Sequence, residues 1–130
     1  KRGTRCRARD LYVSPWFSKV RRYVEATGMP WFILSAEYGL LPPDTEVEPY
    51  ERTLNRMTLA ERRDWARRVG EALVPRCAGA QSIVVLAGMR YREFLMPLLK
   101  SLCPEVRVPM EGMRIGEQLR WLGGGTRGEP

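Results

Sequence analysis

Three short apolar segments, separated by stretches with helical periodicity, constrain the fold of this chain most strongly. They are WFIL (31–34), SIVVL (82–86) and the weaker VRV (106–108). Continuously apolar strands of this kind are typical of a parallel sheet covered on both faces. The alternation of strands and helices therefore predicts the α/β class, as a three-layer sandwich with a mainly parallel sheet and right-handed crossovers.

Local signals mark the ends of the first two helices. Ser14 before Pro15 predicts a helix start, and Gly28 predicts the end of that helix. The TLAE sequence at 58–61 matches a capping box, and Pro75 is expected just past the end of the second helix. These signals predict one helix before the segment at 31–34 and another after it in the sequence.

Two further helices are predicted toward the end of the chain. One covers about 90–102 and is expected to kink or shift register at Pro97, because proline cannot donate the helical hydrogen bond. Ile115, Leu119 and Leu122 share one face of the last helix. A single domain is predicted over 1–122, followed by a flexible, glycine-rich tail at 123–130.

The composition excludes several classes of function. No apolar run reaches the length of a membrane span, and the opening KRGTRCRARD does not read as a signal peptide. The three cysteines of the chain are far apart in the sequence and indicate reduced thiols in a cytoplasmic protein. No metal site and no cofactor are expected. There is no histidine, so Ser-His-Asp catalysis, Cys-His catalysis and His-ligated metals are excluded.

The charge balance favours an anionic partner. The net charge is +7, and 19 of the 22 basic residues are arginine, whose planar fork suits phosphate. Two alternatives to an anionic partner stay open. A GC-rich genome favours arginine codons and would by itself raise the arginine content. Most of the basic clusters also fit solvated helix faces.

A polar loop of nearly twenty residues follows the strand at 31–34. In open α/β sheets, ligands bind beyond the carboxyl ends of the strands, so the segments 35–39, 87–91 and 109–114 are expected at one rim. A loop of this length is usually functional or disordered, and its apolar and tyrosine anchors argue against disorder. An Ω-loop that only packs over the sheet, with solvated acids, is the alternative.

Several separated motifs resemble those of an uncharacterised family of small bacterial and phage domains. The motifs are D-L-Y-x-S-x-x-F (10–17), W-F-I-L-S-A-x-Y-G-L (31–40), P-D-x-x-x-x-P-Y-x-x-T-L (43–54), L-A-G-x-x-Y (86–91) and G-x-Q-L-x-W-L (116–122). The S-A-x-Y-G-L and P-Y segments also resemble the YaaA peroxide-stress proteins, which are linked to DNA binding. More remotely they resemble the uracil-DNA-glycosylase-like domain of archaeosine synthase.

The resemblance implies a uracil-DNA-glycosylase-like fold and a role on or near nucleobases. The family usually begins with a strand before D-L-Y-x-S, so Lys1 and Arg2 are expected to be the end of a strand that is otherwise missing. The glycosylase motifs that include a catalytic histidine are absent, so uracil excision by that mechanism is not expected.

An N-glycosidase needs a carboxylate that stabilises an oxocarbenium-like sugar and orients a water, and it needs an aromatic platform for the base. Asp44 and Glu37 are the candidate catalytic carboxylates. The candidate substrate-binding residues are Tyr12, Ser14, Ser35, Tyr38, Gly39, Tyr50, Gly88 and Arg90.

Each candidate can also have a purely structural role. Ser14 can be only a helix N-cap, and Asp44 can simply close a turn. The tyrosines can be core aromatics with one bonded hydroxyl, and the glycines can serve backbone geometry.

The sequence is therefore compatible with three functions. The first is a nucleobase-processing enzyme, an N-glycosidase-like hydrolase acting on nucleic acid or a nucleotide, with Asp44 and Tyr50 facing one pocket. The second is a DNA- or RNA-binding module without catalysis, and the third is a subunit whose loop packs on a protein partner. An acid-rich loop in a basic protein favours the first, and the lack of histidine argues against it.

Overall fold

The chain alternates short strands with helices in the computed structural model, which describes residues 3–125. The strands are β1 (Cys6–Arg7), β2 (Ile33–Ser35), β3 (Gly39–Leu41), β4 (Glu46–Val47), β5 (Ser82–Val84) and β6 (Glu105–Arg107). The helices are α1 (Ala8–Leu11), α2 (Pro15–Thr27), α3 (Leu59–Cys77), α4 (Met89–Arg92), α5 (Met96–Leu102) and α6 (Ile115–Arg120). A 3-10 turn covers Leu54–Arg56, and a π-helical turn covers Trp121–Gly125.

The mixed helix-and-strand class predicted from the sequence is confirmed. Within residues 3–125 the strands form three two-stranded sheets: β1 with β4, β2 with β3, and β5 with β6. The β5–β6 pair is parallel, as predicted, whereas β1–β4 is antiparallel. Each strand has only two or three residues, and the described strands do not join into one broad parallel sheet.

The chain divides into two compact units, each formed by separate segments. Within the described residues, the first comprises 3–33, 42–49 and 110–125, and the second comprises 34–41 and 50–109. The prediction of a single domain over 1–122 stays a prediction. The proposed end of a missing strand at Lys1 and Arg2 lies outside the described residues, as do the last five residues of the predicted tail.

In the first unit, half of the long loop lies beside the start of the chain. Cys6 pairs with Val47 in the β1–β4 ladder. The amides of Ala8 and Arg9 donate to the carbonyls of Thr45 and Pro43 at 2.8 and 2.9 Å. This part of the loop is therefore ordered by backbone hydrogen bonds, and its short strand β4 was not foreseen from the sequence.

Helix α2 forms where the local signals placed it. Ser14 Oγ accepts from the Phe17 amide at 3.1 Å, and Gly28 ends the helix with a φ of 71°. The helix packs on α6, where Trp16 Nε1 donates to Gln118 Oε1 at 2.8 Å. The tilted rings of Tyr23 and Trp121 lie 4.9 Å apart.

The second unit holds a buried cluster around α3. Its buried members are Ala36, Leu54, Met57, Trp65, Ala66, Val69, Leu73, Cys77, Val85, Leu95 and Leu99. The predicted capping box is present, because Thr58 and Glu61 exchange side-chain-to-backbone hydrogen bonds. Helices α3 and α5 pack closely at Gly70, where a Cβ atom would lie 2.6 Å from Leu98 Cδ2.

Two helix boundaries differ from the sequence prediction, and both involve proline. Helix α3 continues through Pro75 to Cys77, so that proline is inside its last turns. The predicted helix over 90–102 is two helices, and Pro97 lies in the first turn of α5. Proline is tolerated in a first turn because the amide it lacks would have no helical partner there.

Candidate functional site

Ser35 is the centre of a polar and aromatic cluster in the second unit. It ends β2 and is completely buried. Its hydroxyl accepts from the Tyr38 amide at 2.9 Å and donates to the Tyr50 hydroxyl at 3.2 Å. The serine thus closes the turn after β2 and fixes Tyr50 to it, across fifteen residues of sequence. We call Ser35, Tyr38, Tyr50, Trp65 and Tyr91 the tyrosine–serine cluster.

The buried Trp65 and the half-buried Tyr91 form the base of this cluster. The indole Nε1 of Trp65 donates to the Ser35 carbonyl at 2.8 Å, and Trp65 is only 1% exposed. The rings of Trp65 and Tyr91 meet edge-to-face, with centroids 5.7 Å apart. A buried carbonyl and a buried indole N–H are therefore both satisfied by one contact.

Tyr91 connects the cluster to the loop that follows Tyr50. Its phenol is hydrogen-bonded by the Thr53 side chain and the Leu54 backbone. Burial, and then the nearby Tyr50 phenol, raise the pKa of Tyr91 above its ordinary value, and the two hydrogen bonds oppose that rise. The phenol is consequently neutral at physiological pH and can act as a hydrogen-bonding group.

Tyr38 is the exposed member of the cluster. Its residue is 38% exposed, and its ring meets that of Tyr50 edge-to-face at a centroid distance of 5.6 Å. Gly39 follows with a φ of 74°, a conformation that favours glycine. Glu37, a predicted catalytic carboxylate, is exposed in the same turn. The turn therefore presents one tyrosine ring and one carboxylate to solvent.

Exposed arginines belong to the same unit. Arg52 precedes the 3-10 turn and Arg56 is its last residue, and neither has an ion pair among the described residues. Arg90, a predicted substrate-binding residue, is in α4, which packs on that turn. Its guanidinium is 3.7 Å from Glu93, which also pairs with Arg62 at 3.0 Å.

Gly88 occupies the N-cap position of the four-residue α4. Its φ is −70°, and a Cβ atom there would meet no atom within 4 Å. Neither backbone conformation nor crowding therefore requires glycine at this position.

Asp44, the other predicted catalytic carboxylate, belongs to the first unit. It lies 2.7 Å from Arg9 Nη2 and 3.9 Å from Arg7 Nη1, with 68% of its side chain exposed. Arg9 also pairs with Glu25 at 2.7 Å, and its guanidinium lies 5.8 Å from the Trp31 ring centre. Asp44 is thus a partner of a half-buried arginine.

Tyr12 and Ser14 are also in the first unit. The Ser14 hydroxyl caps α2, which is the purely structural role that the sequence also allowed. The rings of Tyr12 and Phe17 pack at 5.0 Å. Of the predicted residues, the structure therefore brings together Ser35, Tyr38, Gly39 and Tyr50 with Glu37 beside them, and it places Asp44, Tyr12 and Ser14 in the other unit.

Trp65 and Tyr91 are members of the cluster that were not among the predicted site residues. Trp65 lies inside the predicted second helix, and nothing in its spacing indicates a hydrogen bond to Ser35. Tyr91 did have a signal, since it ends the AGMRY segment at 87–91 that was expected near the site. Among the described residues, no group of three His, Cys, Asp or Glu side chains could hold a metal ion.

Comparisons with known proteins identify one family. The sequence model of a family of unknown function (DUF6884) matches residues 1–124 of the chain. No curated protein matches the sequence significantly. No solved structure matches it significantly either. Across residues 3–125, no helix combines the length and the apolar character needed to cross a bilayer.

Proposed function

The chain belongs to this family of unknown function, and we propose that it binds nucleic acid or a nucleotide through the tyrosine–serine cluster. The observation that carries the proposal is Tyr38: the residue is 38% exposed, while its amide is bonded to Ser35 and its ring meets that of Tyr50 edge-to-face. An exposed aromatic side chain held in this way offers a platform on which a base can stack.

Polar groups for recognising a base edge are close to this ring. The half-buried Tyr50 hydroxyl is held by the completely buried Ser35, and the exposed Glu37 can accept hydrogen bonds from amino or imino groups. Unstacked bases are read by hydrogen bonds of this type on their edges. A single-stranded or flipped nucleotide fits this chemistry better than a base inside a duplex, because the ring must reach the base face.

Arg52, Arg56 and Arg90 supply positive charge for the backbone phosphates. All three are exposed, and Arg52 and Arg56 have no acidic partner among residues 3–125. In contrast, Arg67 and Arg68 on α3 are paired with Asp64 at 2.8 and 3.1 Å. Arginines without an internal carboxylate can release counterions when they contact phosphate, so they should dominate the salt dependence of binding.

A nucleobase-processing enzyme, an N-glycosidase acting on a base–sugar bond, is the second candidate. Glu37 favours it, because an exposed carboxylate lies in the turn that carries Tyr38. Asp44 is less suited, since Arg9 and Arg7 already neutralise it. The remote resemblances to the YaaA proteins and to the glycosylase-like domain support the same class of substrate. For this candidate we also propose a three-layer, uracil-DNA-glycosylase-like sandwich and a cytoplasmic location.

Binding is tested by titrating labelled single-stranded DNA, duplex DNA and single-stranded RNA at two salt concentrations. Replacing Tyr38 with alanine should weaken single-strand binding by about 5- to 150-fold, because stacking on an aromatic contributes about 1–3 kcal/mol per base. Tyr38→Phe keeps the ring and should bind nearly as well as the native chain. If the native chain and Tyr38→Ala bind single-stranded DNA with equal affinity, Tyr38 is not the residue on which the base stacks.

The phosphate contacts have a charge-matched control. Arg56→Ala should lower the slope of log affinity against log salt by about 1, as expected for one lost phosphate contact. Arg68→Ala changes the net charge equally but removes an arginine that is paired with Asp64, and it should leave the slope almost unchanged. Equal changes in both variants would mean that only the overall charge matters.

Catalysis is tested separately by looking for released bases from oligonucleotides with damaged or modified bases. Glu37→Gln should abolish release while leaving binding intact if Glu37 stabilises the sugar cation. Asp44→Asn should leave release unchanged, because Asp44 is a partner of Arg9. If no base is released from any substrate by the native chain, the binding module without catalysis is the better description.

A further inference from the structure

A surface pocket in the first unit contains no member of the tyrosine–serine cluster, and Tyr12 is the one predicted site residue in its lining. It has a volume of about 280 Å³ and is lined by Tyr12, Ser18, Arg21, Arg22 and Glu25. Four of these residues are on α2 at spacings of three and four, which places them on one face of the helix. From this geometry we propose that the pocket binds a small sugar phosphate.

Arg22 is the group that would hold the phosphate. It is exposed and, within the described part of the chain, it has no ion pair and no hydrogen bond from its side chain. Its neighbours Arg9 and Arg21 are each engaged by two carboxylates. A guanidinium can bind two phosphate oxygens at once, so Arg22 offers the pocket an unused bidentate donor.

Ser18 adds a hydroxyl one helical turn before Arg22. It too has no side-chain hydrogen bond among residues 3–125, and it is exposed at the pocket. A hydroxyl beside a guanidinium can donate to a further phosphate oxygen. Together the two side chains present donors to one anion, and neither is engaged by a carboxylate among the described residues.

Glu25 determines what can accompany the phosphate. Its carboxylate is held by Arg9 at 2.7 Å and by Arg21 at 3.1 Å, so its charge is balanced inside the protein. A carboxylate has acceptor capacity for more than two donors, so it can still accept from a ligand hydroxyl. A phosphate attached to a polyol therefore complements the pocket better than a phosphate alone.

The size of the pocket restricts the ligand further. Sites for drug-sized molecules measure about 300–1,000 Å³, and this pocket is just below that range. A pentose phosphate is of suitable size. A phosphodiester inside a nucleic acid chain would carry a single negative charge and two bulky substituents, and it fits the pocket less well.

The experiment is an NMR titration of the full chain with ribose 5-phosphate, inorganic phosphate, ribose and a dinucleotide with one internal phosphodiester. Ribose 5-phosphate should bind with a dissociation constant on the order of 1 mM and shift the amides around Ser18 and Arg22. Inorganic phosphate should bind more weakly at the same place, and ribose and the dinucleotide should not bind there.

Two variants and one control decide whether the named residues are responsible. Arg22→Ala should weaken ribose 5-phosphate binding by about tenfold or more, as expected for a lost charged hydrogen bond, and Ser18→Ala by a smaller factor. Both residues are exposed, so the fold should be kept. Arg120→Ala, on α6 of the same unit and also without an ion pair among the described residues, should bind as the native chain does.

Three results would overturn the proposal. These are the absence of saturable ribose 5-phosphate binding, equal losses in Arg22→Ala and Arg120→Ala, and a preference for the dinucleotide. The last result would assign Arg22 to the nucleic-acid surface instead.

Discussion

The burial of Ser35 leads to a quantitative prediction about the stability of the second unit. The change is Ser35→Ala, which keeps the size of the side chain and removes only the hydroxyl. That hydroxyl makes two hydrogen bonds, to the Tyr38 amide and to the Tyr50 hydroxyl, and the residue is completely buried. The substitution therefore tests the hydrogen bonds of the cluster without a large change in packing.

The expected magnitude follows from those two bonds. A neutral intramolecular hydrogen bond contributes about 0.5–1.5 kcal/mol net, so Ser35→Ala should lower the free energy of unfolding by about 1–3 kcal/mol. Tyr50→Phe removes only one of the two bonds. The double variant should therefore lose less than the sum of the single losses, by about 0.5–1.5 kcal/mol.

Urea unfolding followed by tryptophan fluorescence measures these differences, because Trp65 is bonded to the Ser35 carbonyl. Ser101→Ala is the control: Ser101 is exposed on α5, and its loss should change stability by no more than about 0.5 kcal/mol. The reasoning is refuted if Ser35→Ala costs no more than this control. Full additivity of Ser35→Ala and Tyr50→Phe would contradict the bond between the two hydroxyls.

Three other predictions concern helix ends and ionisation. Thr58→Ala removes one half of the capping box of α3 and should cost about 1 kcal/mol in urea unfolding, whereas no loss would mean that the cap is not formed in solution. Gly28→Ala should lower the free energy of unfolding by about 1–2 kcal/mol because of its positive φ alone, since a Cβ atom there meets nothing within 4 Å. The matched control is Gly88→Ala, where φ is −70°, and it should change the free energy of unfolding little. Because the folded pKa of Tyr91 is raised, the stability it contributes is fully present below the unfolded pKa of about 10 and is lost as pH rises through the folded pKa. Tyr91→Phe should therefore flatten the fall of stability in alkaline unfolding experiments, and an unchanged pH profile would count against the burial of this phenol.

The helix ends were largely readable from the sequence because their causes are local. The helix starts are capped by side chains only three residues away, at Ser14 and at Thr58 with Glu61. The end of α2 depends on the backbone conformation of Gly28 alone. The prolines were harder to read, because a proline can begin a helix, as Pro97 does, or remain inside one, as Pro75 does. Which of these occurs depends on how the rest of the helix packs.

The strands and the site were only partly readable. The pairing of Cys6 with Val47 joins residues forty-one positions apart, and two-residue strands have no periodicity to detect. Asp44 looked like a catalytic acid from its place in the loop, yet Arg9 holds it through a contact across thirty-five residues. Ser35, Tyr38 and Tyr50 were predictable as neighbours because they follow a strand end. Their fixation by Trp65 and Tyr91 depends on tertiary contacts that no short motif encodes.

The hydrogen bonds of Tyr91 to Thr53 and Leu54 have a consequence for the rate and the entropy cost of the proposed nucleic-acid binding. They fix the segment after Tyr50, which carries Arg52 and Arg56, before any ligand arrives. A preorganised segment loses little conformational entropy on association, so more of its contact energy remains as affinity. The same rigidity restricts adaptation to ligands of different shape. The loop should therefore act as a fixed template that selects its ligand by fit, with association rates close to those of a rigid surface.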